Sequence, residues 1–325
     1  MESIKKKTMD DCVHCHLCQK NCDFLKKYGI DIGDTDRLRE LAYHCYLCGK
    51  CTDVCPLKID GREAVLSLRR ERAGSDERPE LEKTYKGTVR EKRNYKFRNW
   101  KHVTGETVFF PGCNFPSLFP KTNADISRLL SSYGIGTVYE CCGKPIAELG
   151  FSDDEERIIS EIRDRLAQHG VREIVVACPN CREFFGDRLG VKVTSIYTKM
   201  EELGLGRKVA GDVELFLPCP DRSAKKWVEE IKPFIDGDIT FAYGPQCCGL
   251  GGHAIVEEPE ISKGFADSLG GNDERQIYAY CASCTGRFRR SGYKSIDHIL
   301  PQILGTGESP DTLKSYVNRV LTKFK

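Results

Sequence analysis

The chain has 325 residues, with 50 lysines and arginines against 48 aspartates and glutamates, so its formal net charge is only +2. This near balance gives no support to nucleic-acid binding, and no apolar run approaches the roughly 20 residues of a membrane span. The basic start, Met1 to Lys7, is followed by no apolar stretch, so a secretory signal is not expected. We expect a cytoplasmic protein of two or three domains.

The cysteine content is the most unusual feature of the composition. Eighteen cysteines occur in the chain, and an even count fits a disulfide framework. Such frameworks are typical of short secreted chains, whereas this chain is long and has no recognisable export signal. Thiols clustered at short spacings in a reducing compartment are more typical of metal ligands.

The first 72 residues contain one cysteine pattern twice, C-x2-C-x2-C-x3-C, and the second copy is followed by Pro56. This spacing resembles that of bacterial ferredoxins, in which the fourth cysteine of each run binds the other cluster. The resemblance implies a mainly α-helical domain over residues 1–72 with two cubane [4Fe–4S] clusters. Their ligand sets would be Cys12, Cys15, Cys18 and Cys55, and Cys45, Cys48, Cys51 and Cys22.

The same segment predicts two helices and contains three histidines beside the cysteines. Helices are expected at 35–43, capped by Asp34 or Thr35, and at about 61–72. We expect the histidines to donate at most hydrogen bonds, because each cluster already has four thiols. They are His14, His16 and His44.

Residues 69–101 are strongly basic, with twelve lysines and arginines against six acidic residues. No apolar periodicity is visible, so residues 73–105 are predicted to form a solvated linker between domains. The positive surplus would also suit the docking of an acidic redox partner or an anionic substrate.

From Thr107 onward, short strands alternate with helices, and cysteines follow the ends of the strands. Strands are predicted at 108–110, 137–139, 173–177, 213–217, 239–243 and 275–280. Helices are predicted at 122–133 and from a capping box at 152–155 to about residue 169. This alternation predicts parallel sheets covered on both faces, with the ligand site beyond the carboxyl ends of the strands.

The cysteines of this region belong to an internal duplication. Each copy has a single cysteine 28 residues before a Cys-Cys-Gly tripeptide, and a Cys-x-x-Cys pair after it. Matching positions are offset by 106, 106 and 103 residues. Five thiols per copy exceed the four of a tetrahedral zinc site, so a polynuclear cluster is the simplest interpretation. The two sets are Cys113, Cys141, Cys142, Cys178 and Cys181, and Cys219, Cys247, Cys248, Cys281 and Cys284.

The final segment, residues 307–325, predicts a C-terminal helix with one apolar face. Leu313, Tyr316, Val317, Val320, Leu321 and Phe324 share that face. We expect the face to pack on its own domain, while a membrane surface or a partner would be an alternative use.

The repeated unit resembles the CCG (cysteine-rich) domain of heterodisulfide reductases, and the segment before it resembles the electron-input part of the same enzymes. The resemblance implies a multidomain α+β protein: the helical ferredoxin-like domain, then two pseudo-twofold related, Rossmann-like α/β CCG domains at 106–205 and 206–306. It further implies that each five-thiol set holds a noncubane [4Fe–4S] cluster. Relatives that serve flavin dehydrogenases often have one degenerate motif, whereas both motifs are complete here.

By this resemblance, the protein is an oxidoreductase subunit acting on a disulfide or related sulfur group. The cubanes relay single electrons to the noncubane pair, and the substrate binds between the latter, at the clusters of Cys142 and Cys248. Lys144 and His253, each just after a Cys-Cys-Gly, would transfer protons, bind substrate carboxylates or support the site structurally. A flavoprotein or a membrane cytochrome is expected as the redox partner, through which a membrane association would arise. The alternative is a non-catalytic electron conduit between a flavin dehydrogenase and a quinone or membrane cytochrome.

Overall fold

The computed structural model describes residues 7–270 and 275–325. The prediction that the basic start is no secretory signal concerns residues 1–7, and all of these except Lys7 lie outside the described residues. In this part of the chain, no helix combines the length and apolar character needed to cross a bilayer. Short helices dominate the first 95 residues. They are α1 Leu17–Lys20, α2 Asp23–Tyr28, α3 Thr35–Glu40, α4 Lys50–Val54, α5 Gly61–Ala73, α6 Arg78–Thr84 and α7 Lys86–Lys92.

The two N-terminal cysteine runs have the same backbone shape. His14 and Leu47, each two residues after the first cysteine of a run, have φ of +49° and +50°. Each donates its N–H to the sulfur of that cysteine over 3.4 Å. His16 and Gly49 are again in the left-handed region, and each precedes a helix, α1 or α4. Two different sequences with the same turns indicate that the cysteine spacing determines the local fold.

The prediction of a solvated linker at 73–105 is wrong. Helices α6 and α7 lie in this segment, and Leu81, Tyr85 and Val89 are buried. Tyr85 stacks on Tyr43 with ring centroids 5.5 Å apart. The apolar residues are few and widely spaced, but Tyr85 also donates its hydroxyl to Glu257 of the second repeat and so joins two parts of the chain. The basic residues of the segment are exposed or form ion pairs.

The first CCG repeat forms a five-stranded sheet with the order β1-β3-β2-β4-β5. Strands β2 to β5 are parallel, as the alternation of strands and helices predicted. Strands β1 and β5 were not predicted from the sequence, and β1 pairs antiparallel with β3. The strands are β1 Asn99–His102, β2 Thr107–Phe110, β3 Gly136–Tyr139, β4 Glu173–Val176 and β5 Lys192–Ser195. The helices are α8 Phe115–Leu118, α9 Pro120–Ser131, α10 Lys144–Ala147, α11 Ser152–Gln168, α12 Pro179–Phe185 and α13 Ile196–Glu202.

The second repeat forms an all-parallel sheet with the order β7-β6-β8-β9. This order matches β3-β2-β4-β5 of the first repeat strand for strand. The α/β class is therefore confirmed, while the ferredoxin module and the pseudo-twofold relation stay predictions. The strands are β6 Val213–Phe216, β7 Ile239–Phe241, β8 Ile277–Ala279 and β9 Ile296–His298, and the helices are α14 Lys226–Ile231, α15 Pro259–Asp267, α16 Ala282–Arg290, α17 Ile299–Ile303 and α18 Ser315–Leu321.

The capping box predicted at the start of α11 is not formed. Ser152 is the first residue of the helix, Phe151 occupies the N-cap position, and no side chain caps the helix. Glu155 instead forms an ion pair with Arg188 over 2.9 Å. The sequence pattern predicted the position of the helix correctly. Its predicted cap is wrong, because Glu155 pairs with Arg188 and not with the start of the helix.

Most of the predicted apolar face of the C-terminal helix is exposed, contrary to the expectation, and Val320 of that face packs on the protein. Leu313 is 95% exposed and Phe324 is 73% exposed, and Tyr316, Val317 and Leu321 are exposed as well. Polar residues hold α18 on the protein instead: Asn318 donates to the carbonyl of Ser117, and Arg319 donates to Asn114 and Glu91. Buried acceptors such as the Ser117 carbonyl need hydrogen-bond donors, and this need determines the orientation of α18 more than its apolar pattern does.

Candidate functional site

The N-terminal cysteines form two groups, and each group takes its fourth thiol from the other run. The Cys12 thiol interacts electrostatically with those of Cys15 and Cys55, and Cys18 interacts with Cys12. In the second group, Cys22 interacts with Cys48 and Cys45, and Cys51 interacts with all three. This exchange of the fourth cysteine is the one that the ferredoxin spacing predicts. That each group holds a cubane stays a prediction.

The five thiols of the first CCG repeat lie together at the carboxyl ends of β2, β3 and β4. The side chain of Cys141 contacts those of Cys113 and Cys142. Cys142 also contacts Cys181, which in turn contacts Cys178. The five cysteines therefore form one continuous set, although they come from three separate loops.

The thiols of the second repeat form two groups, and they also contact the other two modules. Cys219 contacts Cys247, and Cys284 contacts both Cys248 and Cys281. Cys247 further contacts Cys48 of the N-terminal module. Cys281 contacts Cys178 of the first repeat. Because Cys51 of the Cys22 group also interacts with Cys18 of the Cys12 group, the thiol groups follow one another in the order Cys12 group, Cys22 group, second repeat and first repeat.

A cavity of about 320 Å³ opens between the two repeats. Eight of the ten CCG cysteines line it, and the remaining two, Cys141 and Cys247, are buried behind its wall. The cavity is therefore reached by both thiol sets. The lining cysteines are Cys113, Cys142, Cys178 and Cys181 of the first repeat, and Cys219, Cys248, Cys281 and Cys284 of the second.

Lys144 and His253 both line this cavity, and both already have partners. Lys144 forms an ion pair with Glu148. His253 Nε2 lies 3.0 Å from the carbonyl oxygen of Pro145, and its Nδ1 lies 3.4 Å from the hydroxyl of Thr88. Burial lowers the pKa of His253. The structure places both residues beside the cavity, and their roles there stay predictions.

Glu148 links the two repeats beneath Lys144 and is a residue that sequence reasoning missed. Burial opposes its ionisation, but Lys144 and Arg62 outweigh burial and lower the pKa of Glu148 to about 2. Its carboxylate also accepts the N–H of Gly252 over 3.2 Å. The wall of the cavity thus contains an ionic network in which Lys144 and Arg62 share the carboxylate of Glu148, and Arg62 also pairs with Glu183.

The thiol groups have the chemistry and the surroundings that iron–sulfur clusters require. All eighteen cysteines are free, and thiolates are the ligands of such clusters. Gly33 and Gly61 leave room at the sulfurs, because an added Cβ would lie 2.9 Å from Cys12 Sγ and 2.5 Å from Cys51 Sγ, respectively. Cations lie near other thiols, with Arg222 Nη2 3.7 Å from Cys219 Sγ and Lys92 interacting with Cys113 and Cys141. The residues therefore fit anionic clusters.

Two side-chain amides at the junctions between thiol groups were also missed. Gln246 lies against Cys22 and Cys48. The amide nitrogen of Asn180 lies 3.6 Å from Cys281 Sγ, across the boundary between the repeats. Their positions directly before a Cys-Cys-Gly and inside a Cys-x-x-Cys were visible in the sequence, but their contacts depend on how the modules pack.

Comparison with known proteins supports the resemblance. Residues 107–186 match the family described as CCG, cysteine-rich domain. An uncharacterized iron–sulfur protein of Methanococcus maripaludis is 23% identical over 86% of this chain, and another of Methanocaldococcus jannaschii is 23% identical over 84%. One subunit of the fumarate reductase (CoM/CoB) of Methanothermobacter marburgensis is 26% identical over 81%. The chain is thus confirmed as similar to iron–sulfur proteins and contains a CCG domain.

This chain spans only part of these relatives, covering 65%, 62% and 64% of the lengths of the Methanococcus, Methanothermobacter and Methanocaldococcus proteins. Among solved structures, the aspartate racemase of Picrophilus torridus is 10% identical over 67% of this chain and 100% of that chain, with a TM-score of 0.32. A likeness this slight supports no functional argument.

Proposed function

We propose that this chain is a heterodisulfide reductase-like iron–sulfur subunit that reduces a disulfide or related sulfur substrate bound between its two CCG repeats. Two cubane clusters would be held by the N-terminal thiol groups, and two noncubane [4Fe–4S] clusters by the five-thiol sets. The observation that supports this most directly is the cavity of about 320 Å³, which is lined by thiols of both repeats. A disulfide inside it would have each sulfur next to one set.

The order of the thiol groups supports a route for electrons. When bound, iron–sulfur clusters carry single electrons, and iron of a catalytic cluster binds sulfur and stabilises it as thiolate. The protein sets the order: the exposed Cys15 marks the outer group, and Cys48 of the inner group contacts Cys247 of the second repeat. Electrons would enter at the outer group and reach the second repeat before the first.

The wall of the cavity suits a substrate that carries a carboxylate. The described residues that line the cavity include three cations, Arg62, Lys92 and Lys144, and one carboxylate, Glu148. Glu183, which pairs with Arg62, is not part of this lining. Lys144 and His253 are the residues that we propose for substrate binding or proton transfer beside Cys142 and Cys248. Burial between the repeats keeps these groups away from bulk water, which strengthens their electrostatic interactions with a substrate.

A redox partner is part of the proposal, because one component of a reductase complex is among the relatives. A flavoprotein or membrane cytochrome would supply or receive the electrons, with the chain itself in the cytoplasm. The alternative function, an electron conduit, is favoured by one observation. The exposed apolar face of α18 lies over the first repeat, where Val320 packs in the same cluster as Cys113 and Cys141. A partner docked there would lie close to those thiols.

Iron content tests the cofactor assignment. We expect about 16 iron atoms per chain after anaerobic purification, from four clusters of four. The measurement is iron quantification together with the low-temperature electron paramagnetic resonance (EPR) spectrum. A reproducible content of only eight, with no signal besides those of cubanes, would contradict the two noncubane sites.

Turnover distinguishes the enzyme from the conduit. Reduced viologen dye is expected to drive reduction of at least one compound in a panel of small disulfides, because the dye bypasses the unknown partner. In addition, thiols added to the half-oxidised protein are expected to change its EPR spectrum, since a catalytic site must offer iron to sulfur. A conduit encloses its clusters and would show neither effect across the panel.

A further inference from the structure

Gln246 is placed between the N-terminal module and the second repeat. Its amide nitrogen lies 3.5 Å from Cys22 Sγ and 3.3 Å from Cys48 Sγ. Both cysteines belong to the inner N-terminal group, whereas Gln246 directly precedes Cys247 of the second repeat. One side chain of the CCG region thus contacts two sulfurs of the neighbouring group.

The orientation of this amide is fixed by its other contacts. The backbone N–H of Asp23 donates to Gln246 Oε1 over 3.0 Å, so the oxygen is the acceptor and the NH₂ group must face the sulfurs. The backbone carbonyl of Gln246 accepts a hydrogen bond from Arg222 over 2.5 Å. Arg222 also donates to the carbonyl of Cys48 over 3.3 Å. The backbone of Gln246 is therefore held by Arg222 and its amide oxygen by Asp23, so the NH₂ group is directed at the two sulfurs.

The duplication shows that this arrangement is particular to the second repeat. The residue before the first Cys-Cys-Gly, 106 positions earlier, is Glu140. Its carboxylate accepts from the N–H of Cys141 over 3.0 Å and from the indole of Trp100 over 3.2 Å. Ionised carboxylates only accept hydrogen bonds, whereas an amide donates two. The hydrogen-bond donor therefore occurs at this position in the repeat whose thiols contact those of the N-terminal module.

We propose that Gln246 is a positioning residue that raises the reduction potential of the cluster held by Cys22, Cys45, Cys48 and Cys51. The inference rests on the proposed function, because it requires a cluster at these thiols. N–H groups directed at ligand sulfur stabilise the more negative, reduced state more than the oxidised one, and such hydrogen bonds are a recognised determinant of cluster potential. The step is the uptake of one electron from the donor, with no bond broken.

The position of this cluster explains how a raised reduction potential would help electron transfer. The Cys22 group is the last one before the second repeat, and Cys48 contacts Cys247 directly. A raised potential makes the Cys22 cluster the preferred acceptor from the outer group. Through Gln246, the cluster next to the second repeat would be the one that is reduced first.

The test replaces Gln246 by methionine, which has a similar length and no N–H donor. EPR-monitored redox titration of Gln246→Met is expected to lower one of the two cubane potentials and leave the other unchanged. The fall should correspond to roughly a tenfold shift in the ratio of reduced to oxidised cluster, which is about 59 mV for one electron. Glu140→Gln, at the matching position of the other repeat, should leave both cubane potentials unchanged. No fall, or an equal fall of both potentials, would overturn the inference.

A second pair of variants covers the case in which Gln246→Met loses iron. Asp23→Pro removes the N–H that orients the amide, and Asp23→Ala removes the same carboxylate but keeps the N–H. Proline is tolerated because Asp23 is the first residue of α2 and Cys22 before it is extended, with φ −135° and ψ 116°. The same single potential should be lower in Asp23→Pro than in Asp23→Ala, and equal potentials would overturn the inference. Absence of both cubane signals in the unmodified protein would instead overturn the proposed function, and this inference with it.

Discussion

Replacing either Cys142 or Cys248 by alanine is expected to abolish viologen-driven disulfide reduction. Each of these residues lines the cavity and contacts other thiols of its set: Cys142 contacts Cys141 and Cys181, and Cys248 contacts Cys284. The loss should bring the rate to that of the dye without protein, and each variant should lack about four iron atoms. Loss of activity in both variants is expected because the proposed reaction needs one cluster at each sulfur of the substrate.

The N-terminal clusters provide the internal control for this experiment. The cubane EPR signals should persist in both variants, because the N-terminal thiols and α2 to α5 lie in a separate part of the chain. Ser127→Ala is a matched deletion of one buried polar atom in the first repeat, away from the cavity, and it should keep full iron and full activity. If both cysteine variants retained full iron and unchanged spectra, the doubled cysteines would not be ligands.

The core of the α/β region was predictable because its signal is local. Strands such as β4 are short apolar runs, and each is followed directly by cysteines. In parallel sheets the carboxyl ends of the strands meet at one edge, so the position of Cys178 after β4 already places it near Cys113 after β2. The duplication then gives the second site from the first. These inferences need no knowledge of how the modules pack.

The segments that were mispredicted depend on contacts between distant parts of the chain. Leu81, Tyr85 and Val89 are too sparse among charged residues to stand out, yet each is buried, and Tyr85 contacts both Tyr43 and Glu257. In α18 the apolar face was clear in the sequence, but Asn318 and Arg319 meet Ser117, Asn114 and Glu91, and these contacts turn the face outward. Periodicity indicates that a helix is amphipathic, but it does not show which face of the helix packs against the rest of the protein.

The candidate site shows the same limit. The cysteines and the residues beside Cys-Cys-Gly could be named from their spacing, whereas Glu148 and Arg62 could not. Arg62 lies on α5 of the N-terminal module and reaches Glu183 of the first repeat over 2.5 Å. The linear order of the thiol groups likewise follows from two contacts, Cys48 with Cys247 and Cys178 with Cys281, that join separate modules. Tertiary packing alone determines them.

Replacing Arg69 by methionine is expected to cause the largest loss of stability. Arg69 is fully buried on α5, and its guanidinium group donates to backbone carbonyls in all three modules. Its nitrogens lie 2.9 Å from the oxygen of Ala42 and 2.7 Å from each of the oxygens of Cys45, Glu148 and Gly252. The group also lies 4.8 Å from the ring centroid of Tyr43. One side chain therefore satisfies acceptors in the N-terminal module and both repeats.

Methionine fills much of the same volume and leaves the four carbonyl oxygens without their donor. Each unsatisfied buried polar group costs about 1–3 kcal/mol, so we expect the free energy of unfolding to fall by about 4 kcal/mol or more. Arg70→Met is the matched control, because Arg70 is the next residue and pairs with Glu63 at the surface over 2.5 Å. Exposed ion pairs contribute little, so this control should change stability by less than about 1 kcal/mol. The measurement is anaerobic denaturant unfolding of both variants. Equal destabilisation by the two substitutions would show that Arg69 does not join the modules.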